Sequence, residues 1–217
     1  MQQLTSTQPT EFALILDRSG SMGGLESDTI GGFNSLIKKQ REAEGTCRVT
    51  TVLFDDRYEV LHDRIDVHDV PPMTQSDYYV RGCTALYDAV GKTIHRIERG
   101  LADGDAPAKV IVAIITDGLE NASREYRTRQ VKAMIEAKKA AGWEFLFLGA
   151  NIDAVTSAAD IGIGADRAAN FHADADGMKV NFIAMSEAVQ SYRTGRVVDA
   201  DWSEDIDEDY RSRTSKR

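Results

Sequence analysis

Five oxygen-bearing side chains, at three separate places in the chain, have the types and spacing that a hard divalent cation requires. Asp17, Ser19 and Ser21 alternate along one short segment, so an extended loop would point all three the same way. Thr84 and Asp117 follow in two later segments. Mg²⁺ prefers oxygen ligands, keeps several waters and is usually held by one or two carboxylates. The two acids and three hydroxyls therefore predict a Mg²⁺ site, with Mn²⁺ as an alternative ion.

Strands and helices must alternate to position these side chains. Apolar runs predict strands at residues 12–16, 47–54, 109–116 and 143–148, with a hairpin partner at 58–61 and a weaker strand at 168–172. Apolar residues at helical spacing predict helices that begin near residues 27, 86, 127, 153 and 174–176. Buried strands that alternate with amphipathic helices predict an α/β fold with a mostly parallel, doubly wound sheet.

That sheet would bring the three polar segments together. The carboxyl ends of parallel strands share one edge, and ligands bind there at a switch point. Asp17 and Asp117 each follow a predicted strand directly, and Thr84 opens a predicted helix. Gly20 lets the first segment turn closely around an ion. We therefore expect all five oxygen donors at the carboxyl edge.

The segment Asp17-Arg18-Ser19-Gly20-Ser21 resembles the D-x-S-x-S motif of von Willebrand factor type A (vWA) domains, where it forms the metal-ion-dependent adhesion site (MIDAS). In that family a Thr from a second loop and an Asp from a third complete the site. Thr84 and Asp117 resemble those two residues, so all five expected positions are filled in order. The resemblance covers roughly residues 10–175.

The resemblance implies a Rossmann-like sheet of six strands with one antiparallel edge strand and helices on both faces. It also implies a non-enzymatic module of the bacterial or phage intracellular type. Such domains typically bind a protein partner whose Asp or Glu completes the ligands of the metal. The partner's identity is beyond the sequence.

Further residues close to the motif would surround the metal site: Gly20, Gly82, Cys83, Asp88, Gly118 and Glu120. Asp88 lies one helical turn after Thr84, in position to bond a ligand hydroxyl or a bound water. Glu120 and Asn121 would rim the site and shape partner choice. Cys83 stands where relatives often have Gly or Ser, either as a small filler or as a redox-sensitive thiol.

An enzyme is the alternative function. A Mg²⁺-dependent hydrolase or phosphotransferase could use the same acids but would need a general base or nucleophile nearby. Asp88 and Glu120 are the nearest candidates, and neither belongs to a recognisable catalytic motif. The segment after Asp17 also lacks the Lys-Ser/Thr ending of a phosphate-binding P-loop. A separate set, His62, Asp66 and His68, predicts either a transition-metal clip or, with greater weight, a solvated edge strand.

Composition excludes several classes of partner. The 26 basic and 35 acidic residues give a net charge of −9, which argues against nucleic acid and anionic membrane surfaces. The apolar runs are too short to cross a bilayer. A polar N-terminus without a signal peptide, and only two cysteines, predict a cytoplasmic protein.

We expect a domain at residues 10–195 and a charged tail at 196–217. Residues 199–209 contain seven acids, and four bases follow them. Trp202, Ile206 and Tyr210 recur every four residues, so the tail is expected either to be mobile or to dock on this domain or a partner. An acidic terminus could also occupy the metal site of its own or a neighbouring copy, which makes self-interaction a further hypothesis.

Overall fold

A six-stranded sheet forms the centre of the computed structural model, which describes residues 8–102 and 108–214. Its strands are β1 (Thr10–Asp17), β2 (Cys47–Phe54), β3 (Tyr58–Asp66), β4 (Lys109–Thr116), β5 (Glu144–Ala150) and β6 (Ala168–Phe171). The helices are α1 (Glu26–Glu42), α2 (Leu86–Ala102), α3 (Thr128–Ala140), α4 (Ala154–Asp160), α5 (Ala175–Arg193) and α6 (Glu204–Thr214). The strand order is β3-β2-β1-β4-β5-β6, and only the β2–β3 pair is antiparallel. The predicted α/β fold with one antiparallel edge strand is confirmed.

Two hydrophobic layers sandwich the sheet. Phe12, Leu14 and Leu16 of β1 pack into the layer that contains α1 and α5. Ala13 and Ile15 pack into the opposite layer, with α2, α3 and α4. This burial on both faces explains the continuous apolar runs of the central strands. None of the helices in the described segments has both the length and the apolar character needed to cross a membrane.

The edge strand β3 differs from its prediction. It continues to Asp66 rather than ending at residue 61, and its pairing with β2 shifts register twice. The expectation of a solvated strand is wrong at His62, which is 3% exposed because α1 covers this face. The His62 ring stacks on Phe33 at 5.8 Å, and its Nδ1 lies 3.0 Å from the Thr51 hydroxyl.

The segment after α5 lies against α5 and β6. The Trp202 indole N–H donates to the Asp166 carbonyl over 3.0 Å, and Ile206 is 1% exposed in the core. The rings of Tyr210 and His172 stack at 4.7 Å. The proposed boundary between domain and tail at residue 195 stays a prediction, although the described part of the tail packs closely on the domain. Residues 215–217, which include the last two basic residues of the tail, Lys216 and Arg217, lie outside the described residues.

Candidate metal centre

The structure brings the three polar segments together at the carboxyl edge of the sheet. The hydroxyl oxygens of Ser19 and Ser21 lie 3.0 Å apart, and the Thr84 hydroxyl donates to that of Ser19 over 3.0 Å. We call these three oxygens the hydroxyl row. Asp117 joins the row through its neighbour Gly118, where a Cβ would stand 3.0 Å from Thr84 Oγ1 and 3.1 Å from Ser21 Oγ. Any larger residue at position 118 would press on the row.

The spacing of the hydroxyl row matches that of a small octahedral ion. Mg²⁺–oxygen bonds of about 2.0–2.1 Å place neighbouring octahedral ligands about 3.0 Å apart. Ca²⁺, with bonds of about 2.3–2.6 Å, needs a wider spacing. Both separations are 3.0 Å, so the row needs no widening to accept the smaller ion. They are also ordinary hydrogen-bond lengths, so the row holds itself in place through its own hydrogen bonds.

Asp17 ends β1 in full burial, and each of its carboxylate oxygens accepts a hydrogen bond. The Ser19 backbone N–H donates to Oδ1 over 2.7 Å, and the Thr116 hydroxyl donates to Oδ2 over 2.6 Å. Burial raises the pKa of Asp17 above its ordinary value, and these hydrogen bonds offset only part of the rise. A cation beside it would favour the charged form that burial disfavours.

Asp117 is the least satisfied acid of the site. It is 2% exposed, and neither carboxylate oxygen has a hydrogen-bond partner among the described residues. Burial raises the pKa of Asp117 to about 6; the Ser21 hydroxyl counters part of this rise without full hydrogen-bond geometry, and the charge of Asp17 adds to it. Buried polar atoms without partners call for an explanation, such as an ion. The donor set therefore fits a hard divalent cation.

Thr84 is held through its own backbone. Its N–H donates to the Asn121 side-chain oxygen over 2.9 Å, and its carbonyl accepts from the N–H groups of Asn121 (3.0 Å) and Ala122 (3.2 Å). Two residues earlier, Gly82 has a φ of 67°, which favours glycine. The Gly82 carbonyl accepts from the Gly20 N–H over 3.2 Å. The loops that carry Thr84 and the two serines are thus joined directly.

Asp88 and Glu120 contact backbone groups rather than the hydroxyl row. The N–H groups of residues 124–126 donate to the Asp88 carboxylate over 2.8–3.0 Å. Glu120 accepts hydrogen bonds from the N–H groups of Tyr87, Ala122 and Ser123 and from the Ser123 hydroxyl. Both acids fasten the segment after β4 to the first turns of α2.

Three residues outside the predicted ligand set support the site. Thr116 bonds the Asp17 carboxylate, Asn121 bonds the Thr84 backbone, and the buried Tyr78 hydroxyl donates to the Asp17 carbonyl over 2.5 Å. Thr116 carried a signal of its own, since it is a polar residue that ends the apolar run 110–115 beside a predicted ligand. The other two lie in loops whose composition is ordinary.

The described segments contain no metal site built from His, Cys, Asp and Glu side chains alone. No group of three or more His, Cys, Asp and Glu residues there is close enough to hold a metal ion. Cys47 is buried, Cys83 is exposed, and both are free thiols. Any metal at the carboxyl edge would therefore depend on hydroxyl oxygens as well as on the two carboxylates.

The chain has structural relatives but no matching family model and no matching curated protein. Proximal thread matrix protein 1 from the mussel byssus shares the fold with a TM-score of 0.60 at 14% identity, covering 87% of this chain and 47% of that one. VWA2, the ArnB paralog of Sulfolobus acidocaldarius, has a TM-score of 0.56 at 14% identity, and the match covers 82% of this chain and 45% of that one. Manganese-loaded TRAP of Plasmodium vivax has a TM-score of 0.51 at 18% identity, and the match covers 66% of this chain and 58% of that one.

These comparisons establish the architecture. A six-stranded sheet with one antiparallel edge strand and helices on both faces is the vWA fold, as the motif resemblance implied. At such identities the likeness concerns the fold alone. The chain spans about half the length of these solved structures.

Proposed function

We propose that this chain is a Mg²⁺-dependent protein-interaction module with a complete MIDAS. Asp17, Ser19, Ser21, Thr84 and Asp117 would hold the ion, and an Asp or Glu of a partner protein would complete its ligands. The bound ion would supply an electrophilic position for that carboxylate. The observation that carries the proposal is the buried Asp117 carboxylate, which has no hydrogen-bond partner among the described residues although the next residue, Gly118, adjoins the hydroxyl row.

The exposure of the site suits capture of a partner. Asp17 and Asp117 are buried, whereas Ser21 and Gly20 are exposed. A carboxylate would therefore approach the hydroxyl row from the side of Ser21. Leu119, two residues after Asp117, is 65% exposed and would offer a protein partner an apolar contact near the ion.

The proposal assigns no catalysis to the site. Asp88 and Glu120, the acids nearest to the motif, are occupied by backbone hydrogen bonds rather than directed at the hydroxyl row. Turnover of a panel of phosphate esters and anhydrides, abolished by Asp17→Ala, would favour the Mg²⁺-dependent hydrolase or phosphotransferase instead.

Titration calorimetry tests the metal site. Mg²⁺ should bind with one ion per chain, Mn²⁺ should bind the same site, and Asp117→Asn should abolish both signals. Asp160→Asn, at the C-terminal end of α4, is a matched control for loss of one acid and should leave binding unchanged. The metal assignment is wrong if neither ion binds, or if Asp117→Asn binds as well as the parent chain.

Affinity purification with and without a chelator tests the partner. A protein that co-purifies only with Mg²⁺ present, and not with Asp117→Asn, would support capture through the ion. Replacement of single Asp and Glu residues of that protein should then identify one carboxylate that binding requires. If binding persists in the chelator, the ion does not mediate the contact. We place the module in a reducing cytoplasm, where the thiols of Cys47 and Cys83 stay free.

A further inference from the structure

A buried carboxylate joins two arginines next to the metal centre. Asp55 follows β2 directly and is fully buried. Its Oδ2 accepts hydrogen bonds from Arg18 Nε over 3.1 Å and from Arg81 Nε over 2.6 Å. Its Oδ1 accepts from the Arg57 backbone N–H over 2.7 Å. The predicted hairpin of residues 47–54 and 58–61 leaves Asp55 in its turn, and no sequence pattern indicated these contacts.

The two arginines belong to different ligand loops. Arg18 lies between Asp17 and Ser19, and Arg81 lies three residues before Thr84. Asp55 therefore connects the loop that carries the serines with the loop that carries the threonine. Burial alone would raise the pKa of Asp55. Hydrogen bonds from Arg81 and from the Arg57 backbone, together with the charges of Arg18 and Arg81, outweigh burial and lower this pKa. The carboxylate accordingly stays charged at neutral pH.

Backbone hydrogen bonds run through the same point. The Ala85 N–H donates to the Asp55 carbonyl over 2.9 Å, and the Arg81 N–H donates to the Arg18 carbonyl over 2.9 Å. Gly82 packs so closely on the hairpin turn that a Cβ there would collide with the Asp56 carboxylate. The Thr84 loop is thus fixed on both sides of Thr84 by the turn that begins at Asp55.

We infer that Asp55 is a positioning residue of the candidate metal centre, which sets the Thr84 hydroxyl against those of Ser19 and Ser21 through Arg18 and Arg81. This inference rests on the proposed function. Asp55 does not touch the hydroxyl row, so its effect on the ion passes through the two loops. Residues that orient metal ligands typically change metal affinity by about 10- to 100-fold when they are replaced.

Glu59 offers a matched control from the same cluster. It accepts from Arg18 Nη2 over 2.5 Å and lies 3.5 Å from Arg81 Nη2, but its side chain is 50% exposed. It meets the outer ends of the guanidinium groups, whose inner Nε atoms are fixed by Asp55. Glu59→Gln removes a charge from the same two arginines without cutting the link between the loops.

The first measurement compares the Mg²⁺ affinities of Asp55→Asn and Glu59→Gln by calorimetry. Asp55→Asn should lose about tenfold or more, and Glu59→Gln less than about threefold. Equal losses for the two variants, or no loss for Asp55→Asn, would overturn the inference. If Asp55→Asn does not fold, Arg81→Gln replaces it, because Arg81 is 29% exposed and its loss leaves Asp55 paired with Arg18.

A double-mutant cycle separates positioning from general loosening. Arg81→Gln should cost little additional Mg²⁺ affinity once Thr84→Ala has removed the positioned hydroxyl, whereas with Ser21→Ala the two losses should add. Additive losses in both cycles would mean that Arg81 and Asp55 act on the fold as a whole.

Hydrogen exchange without metal distinguishes failure of this inference from failure of the proposed function. Asp55→Asn should accelerate exchange of the Ala85 amide, and Glu59→Gln should not. If the parent chain binds no Mg²⁺ while this difference appears, the proposed function is wrong and the loop linkage is real. If the parent chain binds Mg²⁺ and the Ala85 amide is unaffected by Asp55→Asn, the positioning role is wrong.

Discussion

The Thr116 hydroxyl donates a 2.6 Å hydrogen bond to the Asp17 carboxylate, from a neighbouring strand and from 99 positions later in the chain. The bond fixes the first predicted ligand relative to the strand that carries the last one. It also gives a buried carboxylate one of its two hydrogen-bond donors. Strand pairing between β1 and β4 therefore determines the geometry of the site before any ion binds.

Thr116→Val tests this bond while keeping the side-chain shape. We expect a loss of about 1.5–3 kcal/mol in the free energy of unfolding, because a hydrogen bond to a charged group disappears in the core. Urea denaturation without metal measures it. Thr93→Val is the control, since the Thr93 hydroxyl is equally buried but bonds the Ala89 carbonyl and the Tyr58 hydroxyl rather than a carboxylate. Equal effects of the two variants would contradict the assigned role.

Replacement of Asp117 should stabilise the metal-free protein while destroying its metal site. At pH 7.5 the ionised carboxylate is repelled by Asp17 and is buried with no hydrogen-bond partner in the described part of the chain, so Asp117→Asn should gain about 1–3 kcal/mol. The folded-state pKa of about 6 lies above the ordinary value of 3.8, so the gain should vanish as pH falls below 3.8. Urea denaturation at pH 7.5, 5 and 3.5 measures it, and a gain independent of pH would refute the explanation.

Mg²⁺ affinity should depend on pH through the same residue. A proton competes with the ion for Asp117, so affinity should fall about tenfold per pH unit below pH 6 and change little above pH 7. The raised pKa of Asp17 can only steepen the decline. Calorimetry between pH 7.5 and 5 measures it. Ser21→Ala should bind more weakly and move the decline to higher pH, because the Ser21 hydroxyl lowers the pKa of Asp117. A flat profile would exclude Asp117 as a ligand.

Leu119 should matter for the partner and not for the ion. Leu119→Ser is expected to weaken binding of a protein recovered by metal-dependent purification by about tenfold, the scale of a moderate interface contact. Its Mg²⁺ affinity should stay within about twofold of the parent value. Val197→Ser is the control, because Val197 is 73% exposed in the segment between α5 and α6. If both variants bind the partner as the parent does, Leu119 lies outside the interface.

The contribution of α6 to stability can be measured through Ile206. Its side chain is 1% exposed, so Ile206→Ala should cost about 2–5 kcal/mol of unfolding free energy. Val197→Ala should cost less than about 0.5 kcal/mol. Thermal and urea denaturation check both. A negligible loss for Ile206→Ala would mean that residues after 195 form a tail that the domain does not need.

Elements with strong local patterns were predictable from the sequence. The ranges predicted for β2 and β4 coincide with the observed strands, because burial on both faces leaves continuous apolar runs. The end of β3 was predicted too early, since an edge strand with polar residues and a shifted register has no such run. The burial of His62 depends on Phe33 of α1, a helix distant in sequence, so the local pattern of β3 could not predict it.

The candidate site was predictable in its residue types and not in its supports. Ser19 and Ser21 could be grouped by spacing, and Thr84 and Asp117 by their places at strand and helix ends. The hydrogen-bond partners of Asp55, Arg81 and Asn121 lie in other loops of the fold. No local sequence pattern could therefore predict these contacts. Asp88 illustrates the limit: its position one turn after Thr84 suggested a contact with the site, whereas the fold gives it three backbone amides.

The hydroxyl row exists only in the folded chain, because Thr84 and Ser19 are 65 positions apart. An unfolded chain would offer scattered carboxylates, which hold a strongly hydrated ion poorly. Under the proposed function, Mg²⁺ at about 100 times its dissociation constant would therefore shift the folding equilibrium by about 2.7 kcal/mol. A shift of that size changes how much protein escapes degradation. If the ion binds as proposed, the supply of Mg²⁺ would thus change the lifetime and abundance of the protein as well as its binding to a partner.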